Sequence, residues 1–404
     1  MIALYIDPGT GSMLFSVVIG VVATLYFSFR TIWIKSKGIL LGKGSVSMAN
    51  EKLVIYNEGK QYMNLFTPVV NELIKRKVPF TYLTSYDKDP FLDKKADGFK
   101  SEFIGEGNKA FAKLNLIKAD NVLMTTPGLD VYQMKRSKGV KRYIHLVHMP
   151  SDTATYRVFG LDYFDAVLLS GEYQKRDIRY LEKLRGLKEK ELVTVGCPYI
   201  DILKEKSEKD ERKEHQFTVL VSPSWGPSSL LSRFGTELLD PLEESNFNVI
   251  LRPHPQSLRV ETDLIESLKQ RYKDSKNIVF DTSPDNYNSL STADIMISDF
   301  SGIIFDYTLV FDKPVIYLSQ GFDNRIYDAY DIPYQLWQFE SLKSFGIELR
   351  KEDLKNIESI IKNAADSEEL SKARAKARTE CWANQGESAI KIADYLEEHM
   401  KESK

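Results

Sequence analysis

ADIMISDFSGIIFDYTLV, residues 293–310, is a short β-type run that breaks at Ser-Asp-Phe-Ser-Gly and resumes as an apolar helix. That order is the strand–loop–helix junction of a parallel α/β sheet. Ligands of such sheets settle at the carboxyl ends of strands, where a helix N-terminus offers unpaired N–H groups to a phosphate. Ser298 and Ser301 bring hydroxyls, and Gly302 lets a backbone approach closely. Asp299 or Ser301 would serve equally well as an ordinary helix cap, so the junction alone is consistent with a phosphate site or a simple cap.

Working outward, FTVLVS (217–222), FNVILR (247–252), NIVFD (277–281) and PVIYL (314–318) are further strand-like runs, alternating with helical stretches such as Glu261–Tyr272. A second set precedes them: KLVIY (52–56), FTYLT (80–84), NVLMT (121–125), RYIHLV (142–147), DAVLLS (165–170) and ELVTV (191–195), with a helix over about Met63–Arg76. Repeated βαβ alternation specifies an α/β fold with parallel sheets. The expected organisation is a pair of Rossmann-like lobes, residues 51–214 and 215–350. A charged helical segment, 351–404, follows. The stretch KEKSEKDERKE (204–214) reads as a solvated linker or helix between the lobes.

A chain of 404 residues suits two such lobes, and 43% hydrophobic with 28% charged residues is the composition of a folded globular protein. The net charge of −2 gives no basic excess for a nucleic-acid surface, so no nucleic-acid partner is expected. Cys197 and Cys381 form no C-x-x-C pair and join no zinc-like cluster, which argues against a disulfide framework. No metal and no cofactor are expected.

The stretch MLFSVVIGVVATLYFSF, residues 13–29, carries no charge and reaches Ile34 if Arg30 snorkels, long enough to span a bilayer. Arg30, Lys35, Lys37 and Lys43 follow it, so the positive-inside rule predicts a single-pass anchor over residues 1–34, with the N-terminus outside and the body cytoplasmic. Residues 35–50 then read as a Gly/Ser/Lys linker.

Three further strand ends carry chemistry. Arg252-Pro253-His254-Pro255 stiffens a turn around a guanidinium suited to phosphate and an imidazole able to donate to one. Ser222-Pro223-Ser224-Trp225 offers two hydroxyls and an indole, or is an ordinary turn. His148 follows the run RYIHLV and stands either as a general base facing an interlobe cleft or as a satisfied core histidine. His145, inside that strand, is expected on the opposite face in a structural role.

Taken in order, these residues resemble the CDP-glycerol glycerophosphotransferase family of teichoic-acid synthesis. The similarity rests on Val147-His148-Met149, Gly196-Cys197-Pro198-Tyr199-Ile200-Asp201, Pro223-Ser224-Trp225, RPHP at 252–255, and DFSGIIFDY at 299–307 followed by DKPVIYL, and it covers roughly Val140 to Leu318. Met149-Pro150, Gly226 and Gly302 depart from the family pattern. The resemblance implies a GT-B fold, a CDP-activated polyol donor, His148 as base, and His254, Ser301 and Gly302 on the donor phosphates. With the strand-end reading, the expected site is His148 and His254 as catalytic residues. Ser222, Ser224, Arg252, His254, Ser298, Asp299, Ser301 and Gly302 are expected on the donor. The acceptor expected is lipid-linked or a glycan at a membrane. A GT-B nucleotide-sugar glycosyltransferase or epimerase is the alternative.

Overall fold

The computed structural model describes residues 50–210, 215–283 and 285–402, together with Tyr26. The expected membrane anchor and its linker fall, but for Tyr26 and Asn50, outside the described residues. Among the described residues no helix is long and apolar enough to cross a membrane.

Residues Asn50–Lys404 form one compact unit built on two wholly parallel sheets. The first has seven strands in the order β3-β2-β1-β4-β5-β6-β7. These are β1 (Glu51–Asn57), β2 (Phe80–Thr84), β3 (Phe99–Phe103), β4 (Lys118–Met124), β5 (Gly139–Leu146), β6 (Ala166–Leu169) and β7 (Glu191–Thr194). The second has six in the order β10-β9-β8-β11-β12-β13: β8 (Thr218–Val221), β9 (Asn248–Leu251), β10 (Ile278–Phe280), β11 (Ile295–Ser298), β12 (Val315–Tyr317) and β13 (Gly346–Glu348). The α/β expectation of two parallel-sheet lobes holds. Helices cover both faces, so β6, β8 and β11 are buried at every residue, and apolar runs rather than alternation mark them in the sequence.

Each sheet reverses its winding once, between β1 and β4 in the first lobe and between β8 and β11 in the second. A doubly wound sheet splays its loops apart at that point and opens a crevice there. Ser222 follows β8, Ser301 lies just past β11, Glu58 and Lys60 follow β1, and Thr125 follows β4.

The chain crosses between lobes through helix Pro198–Lys209, whose residues 204–209 are the first part of the expected linker; residues 211–214 lie outside the described set. Its start explains the Gly196-x-Pro198-x-x-Asp201 pattern. Gly196 has φ +94°, and a Cβ there would sit 2.4 Å from both Ala383 O and Ser388 Oγ. Pro198 occupies the first helical turn, where its missing N–H costs nothing. Asp201 accepts from Trp382 Nε1 (2.8 Å), Gly386 N (2.9 Å) and Ser388 N (3.1 Å), fastening the crossover to the start of the last helix, Ser388–Glu402. Ile392, Ala393 and Leu396 of that helix are buried in the first lobe's core beside Phe66 and Val69. Two helices earlier, Ile357–Asp366 instead buries Ile357 and Ile361 in the second lobe. The C-terminal segment therefore straps the two lobes together.

Candidate active site

A cleft of about 1090 Å³ opens where the two switch points face each other. Its second-lobe wall contains Ser222, Arg252, His254, Ser301 and Gly302. Ser224, Ser298 and Asp299 are not on that wall. Ser298 is fully buried and donates its hydroxyl to Ser222 O at 2.7 Å. Asp299, equally buried, accepts from Ser224 N (2.8 Å) and Leu230 N (2.9 Å), the latter at the start of helix Leu230–Glu243. Burial pushes the Asp299 pKa up, while those backbone N–H groups pull against the shift. The pair pins the turn after β8 to the turn after β11, which is what brings Ser222 and Ser301 onto one wall.

Gly302 precedes helix Ile303–Phe311 with φ −60°, a conformation any residue adopts, and an added Cβ would meet nothing within 4 Å. Neither backbone strain nor protein packing calls for glycine there. The space it leaves faces the cleft. Arg252 reaches the same wall but is already engaged, pairing with Asp281 and donating to Ser283 O at 2.7 Å. Burial would raise the Asp281 pKa, yet hydrogen bonds from Ser283, Ser289 and Arg252 hold it at about 2.

The two expected catalytic histidines are wired differently. Gln256 N donates to His254 Nδ1 at 3.0 Å, so in the neutral ring the proton sits on Nε2 and a donor is free for the cleft. His148 stands against Tyr62, edge to face with ring centroids 5.1 Å apart, and not among the residues of the main cleft wall. Thr125 Oγ1 donates to Leu146 O (2.7 Å) and lies 2.9 Å from His148 Nδ1. With the threonine proton committed, Nδ1 must donate, which leaves the lone pair on Nε2. Burial lowers the His148 pKa to about 4, so the imidazole is neutral at pH 7.

His145 does not stand apart on an opposite face. Its Nε2 and the His148 Nδ1 both lie 3.2 Å from the Tyr156 hydroxyl. Strand β5 ends at Leu146, so alternation no longer governs His148 and its ring folds back towards the same tyrosine.

The residues that sequence reasoning missed lie mostly on the first-lobe wall: Lys60, Gln61, Tyr86 and Lys88, just past β1 and β2. Tyr199 and Lys206 come from the crossover helix. Lys60 and Lys88 have no ion pair among the described residues, which leaves two cations facing the cleft. The rule that ligands bind at the carboxyl ends of parallel strands was the signal available for them. Among the described residues no group of three or more His, Cys, Asp or Glu side chains is placed to hold a metal.

Comparison with known proteins adds to this geometry. No curated protein sequence matches the chain. Among solved structures, the wall teichoic acid polymerase TagF superposes with a TM-score of 0.56 at 14% identity, over 93% of this chain and 98% of that one. A UDP-GlcNAc 2-epimerase from Methanocaldococcus jannaschii, solved with UDP-GlcNAc and UDP, superposes with a TM-score of 0.54 at 14% identity, over 86% and 99%. At such identities these likenesses establish a fold, the paired-lobe GT-B type, and no more. The family described as CDP-Glycerol:Poly(glycerophosphate) glycerophosphotransferase matches residues 163–398, more than half of the sequence. That span takes in the crossover helix, the entire second lobe and the strap that returns to the first, and by it the chain belongs to the CDP-glycerol glycerophosphotransferase family, a family of transferases.

Proposed function

We propose that the protein transfers a glycerol-phosphate-like group from a CDP-activated polyol to a lipid-linked or glycan acceptor in cell-envelope polymer synthesis. In this reading it works from the membrane, held by residues 1–34 with the body on the cytoplasmic side. The observation that carries the chemistry is the opposite wiring of the two histidines. One ring presents a lone pair and the other an N–H, the pair of groups that an in-line phosphoryl transfer needs at its two ends.

The acceptor hydroxyl attacks the β-phosphorus of the donor and passes its proton to His148 Nε2. The bond from the β-phosphorus to the oxygen bridging the two phosphates breaks, and CMP leaves with that oxygen. His254 Nε2–H, the Ser222 and Ser301 hydroxyls and the helix N-terminus behind Gly302 hold the departing phosphate. Ser298, Asp299 and Ser224 act by fixing those turns, and Arg252 by rigidifying the one that carries His254. A base with a pKa of about 4 is weak, but anionic phosphates beside it favour the imidazolium and raise its basicity as substrate enters.

Purified protein given radiolabelled CDP-glycerol and a glycerol-phosphate acceptor should release CMP. His148→Ala should abolish release and still bind CDP-glycerol. A protein that binds neither CDP-glycerol nor CMP would sink the proposal. The likeness to the UDP-GlcNAc 2-epimerase, whose TM-score is close to that of TagF, favours one other reading, a nucleotide-sugar enzyme. Thermal stabilisation by UDP-sugars and not by cytidine nucleotides would select it.

A further inference from the structure

Positive charge is unevenly divided between the walls of the cleft. Lys60 and Lys88 line it from the first lobe, Lys206 from the crossover helix and Arg252 from the second lobe. Arg252 is engaged with Asp281, and Lys206 pairs with Asp285 at 3.3 Å while its ammonium group stands 3.7 Å from the centroid of the Tyr287 ring. Burial lowers the His254 pKa, with the charge of Glu261 opposing the shift, so that ring is neutral at pH 7. Ser222, Ser301 and the helix behind Gly302 offer hydrogen-bond donors without formal charge. Among the described residues that line the cleft, Lys60 and Lys88 are therefore the cations with no acidic partner.

The turns that carry these two lysines are braced to each other. Lys60 opens the turn Lys60–Tyr62, a short step past Asn57 at the end of β1, and Lys88 immediately precedes Asp89 in the turn after β2. Asn57, Tyr82 and Asp89 are buried, and their side chains close a triangle. The Asn57 amide donates to Tyr82 Oη (2.9 Å) and to Asp89 Oδ2 (3.2 Å), and Tyr82 Oη donates to the same carboxylate oxygen (2.8 Å). The remaining acceptors serve the turns themselves, Asn57 Oδ1 taking Gly59 N (3.1 Å) and Asp89 Oδ1 taking Phe91 N (3.0 Å). A buried polar network satisfied in this way is stiff, so both lysines stand on one rigid rim while their side chains remain exposed at the cleft.

We propose that Lys60 and Lys88 are the cationic half of the donor site, holding the donor's β-phosphate from the first lobe and neutralising the phosphoryl group as it transfers. The inference rests on the donor reading of the main cleft and adds to it two residues from the opposite wall. A donor diphosphate is dianionic, and drawing it out of water calls for opposite charge as well as hydrogen bonds. In the donor reading the departing phosphate rests on the second lobe and the base comes from the first. The β-phosphate is then the group that first-lobe cations meet. Phosphoryl transfer spreads negative charge over the non-bridging oxygens of the group in flight, and fixed positive charge beside them lowers the barrier. The bond from the acceptor oxygen to the β-phosphorus forms as the bridging bond breaks, and neither lysine gains or loses a proton.

Equilibrium binding of CDP-glycerol and of CMP to the full chain tests this, because CMP lacks the β-phosphate. Lys60→Gln and Lys88→Gln should each weaken CDP-glycerol by roughly tenfold, the loss of one charge-assisted contact, and leave CMP affinity within about threefold, which also shows that the variants fold. Added salt should weaken CDP-glycerol binding more steeply in the unmodified protein than in the double variant. Lys60→Arg and Lys88→Arg, which keep the charge, should retain most of the affinity. In turnover, kcat should fall with each charge removed. CDP-glycerol affinity and kcat unchanged in both Gln variants would overturn the proposal, and so would an equal loss of CDP-glycerol and CMP. An unmodified protein that binds neither nucleotide is a different result, in which the donor reading fails and the lysine assignment with it.

Discussion

His148 and His254 are held in opposite tautomers, the first donating through Nδ1 to Thr125 Oγ1 (2.9 Å) and the second accepting at Nδ1 from Gln256 N (3.0 Å). The Thr125 hydroxyl thus sets which ring nitrogen of His148 keeps its lone pair. Removing it with Thr125→Val lets the ring take either tautomer. We expect kcat to fall by roughly tenfold with the CDP-glycerol dissociation constant unchanged, and Thr125→Ser to restore it. Nitrogen-15 chemical shifts of the imidazole in the two variants would check the cause. A Thr125→Val protein with unaltered kcat contradicts the role given to the threonine.

At Gly302 the absence of any neighbour within 4 Å of a built Cβ separates ligand binding from stability. Gly302→Ala should leave the melting temperature the same or slightly higher, because alanine adopts φ −60° with less entropy to lose. If a donor phosphate comes up to this backbone, the methyl group obstructs it, and CDP-glycerol should bind on the order of tenfold more weakly. Calorimetric titration beside a thermal melt tests both halves. Unchanged affinity would show that no phosphate approaches here.

How much of this was legible beforehand follows the physics of each feature. The buried strands were readable because parallel sheets covered on both faces make continuous apolar runs; FTYLT at 80–84 matches β2 residue for residue. The strands missed were β3, FKSEF, and β13, GIE, both at sheet edges, where one flank lies unpaired and the pattern is polar or too short to stand out. In the site, strand ends could be found but not the direction of each side chain beyond them. Ser298 and Ser301 look alike in sequence, yet one hydroxyl turns inward to Ser222 O and the other lines the cleft. Lys60 and Lys88 went unseen because a lone lysine in a polar turn carries no pattern until the opposite lobe is in place.

Asp201 gives a prediction about the frame that holds the lobes. Its carboxylate accepts three hydrogen bonds from Trp382, Gly386 and Ser388, so Asp201→Ala leaves these donors without their partner at a junction between the crossover and the C-terminal strap. The loss should be about 2–4 kcal/mol in chemical denaturation. Asp201→Asn, which retains acceptor capacity but no charge, should lose less. Because the strap joins the lobes, amide exchange should rise first in helix Ser388–Glu402. A loss confined to the second lobe would refute the coupling.

Asp306 sits in the buried helix behind the cleft wall and accepts the Tyr199 hydroxyl at 3.0 Å. Burial pushes its pKa up to about 7, with the tyrosine bond opposing the shift. A carboxyl whose folded pKa lies above its unfolded value of 3.8 is most favourable when protonated. Its contribution is intact below about pH 4, declines as the unfolded chain ionises first, and levels off once pH passes about 7. Asp306→Asn keeps an acceptor for Tyr199 and cannot ionise. The melting temperature of Asp306→Asn relative to the unmodified protein should therefore climb between pH 4 and pH 7 and stay flat above it. Other buried groups titrate in the same interval, so the difference between the two proteins is the quantity to measure. A difference independent of pH would show that Asp306 is ionised throughout. Tyr199 would then be paired with a buried anion directly beneath the site where the donor's phosphates are proposed to bind, and that charge would oppose them.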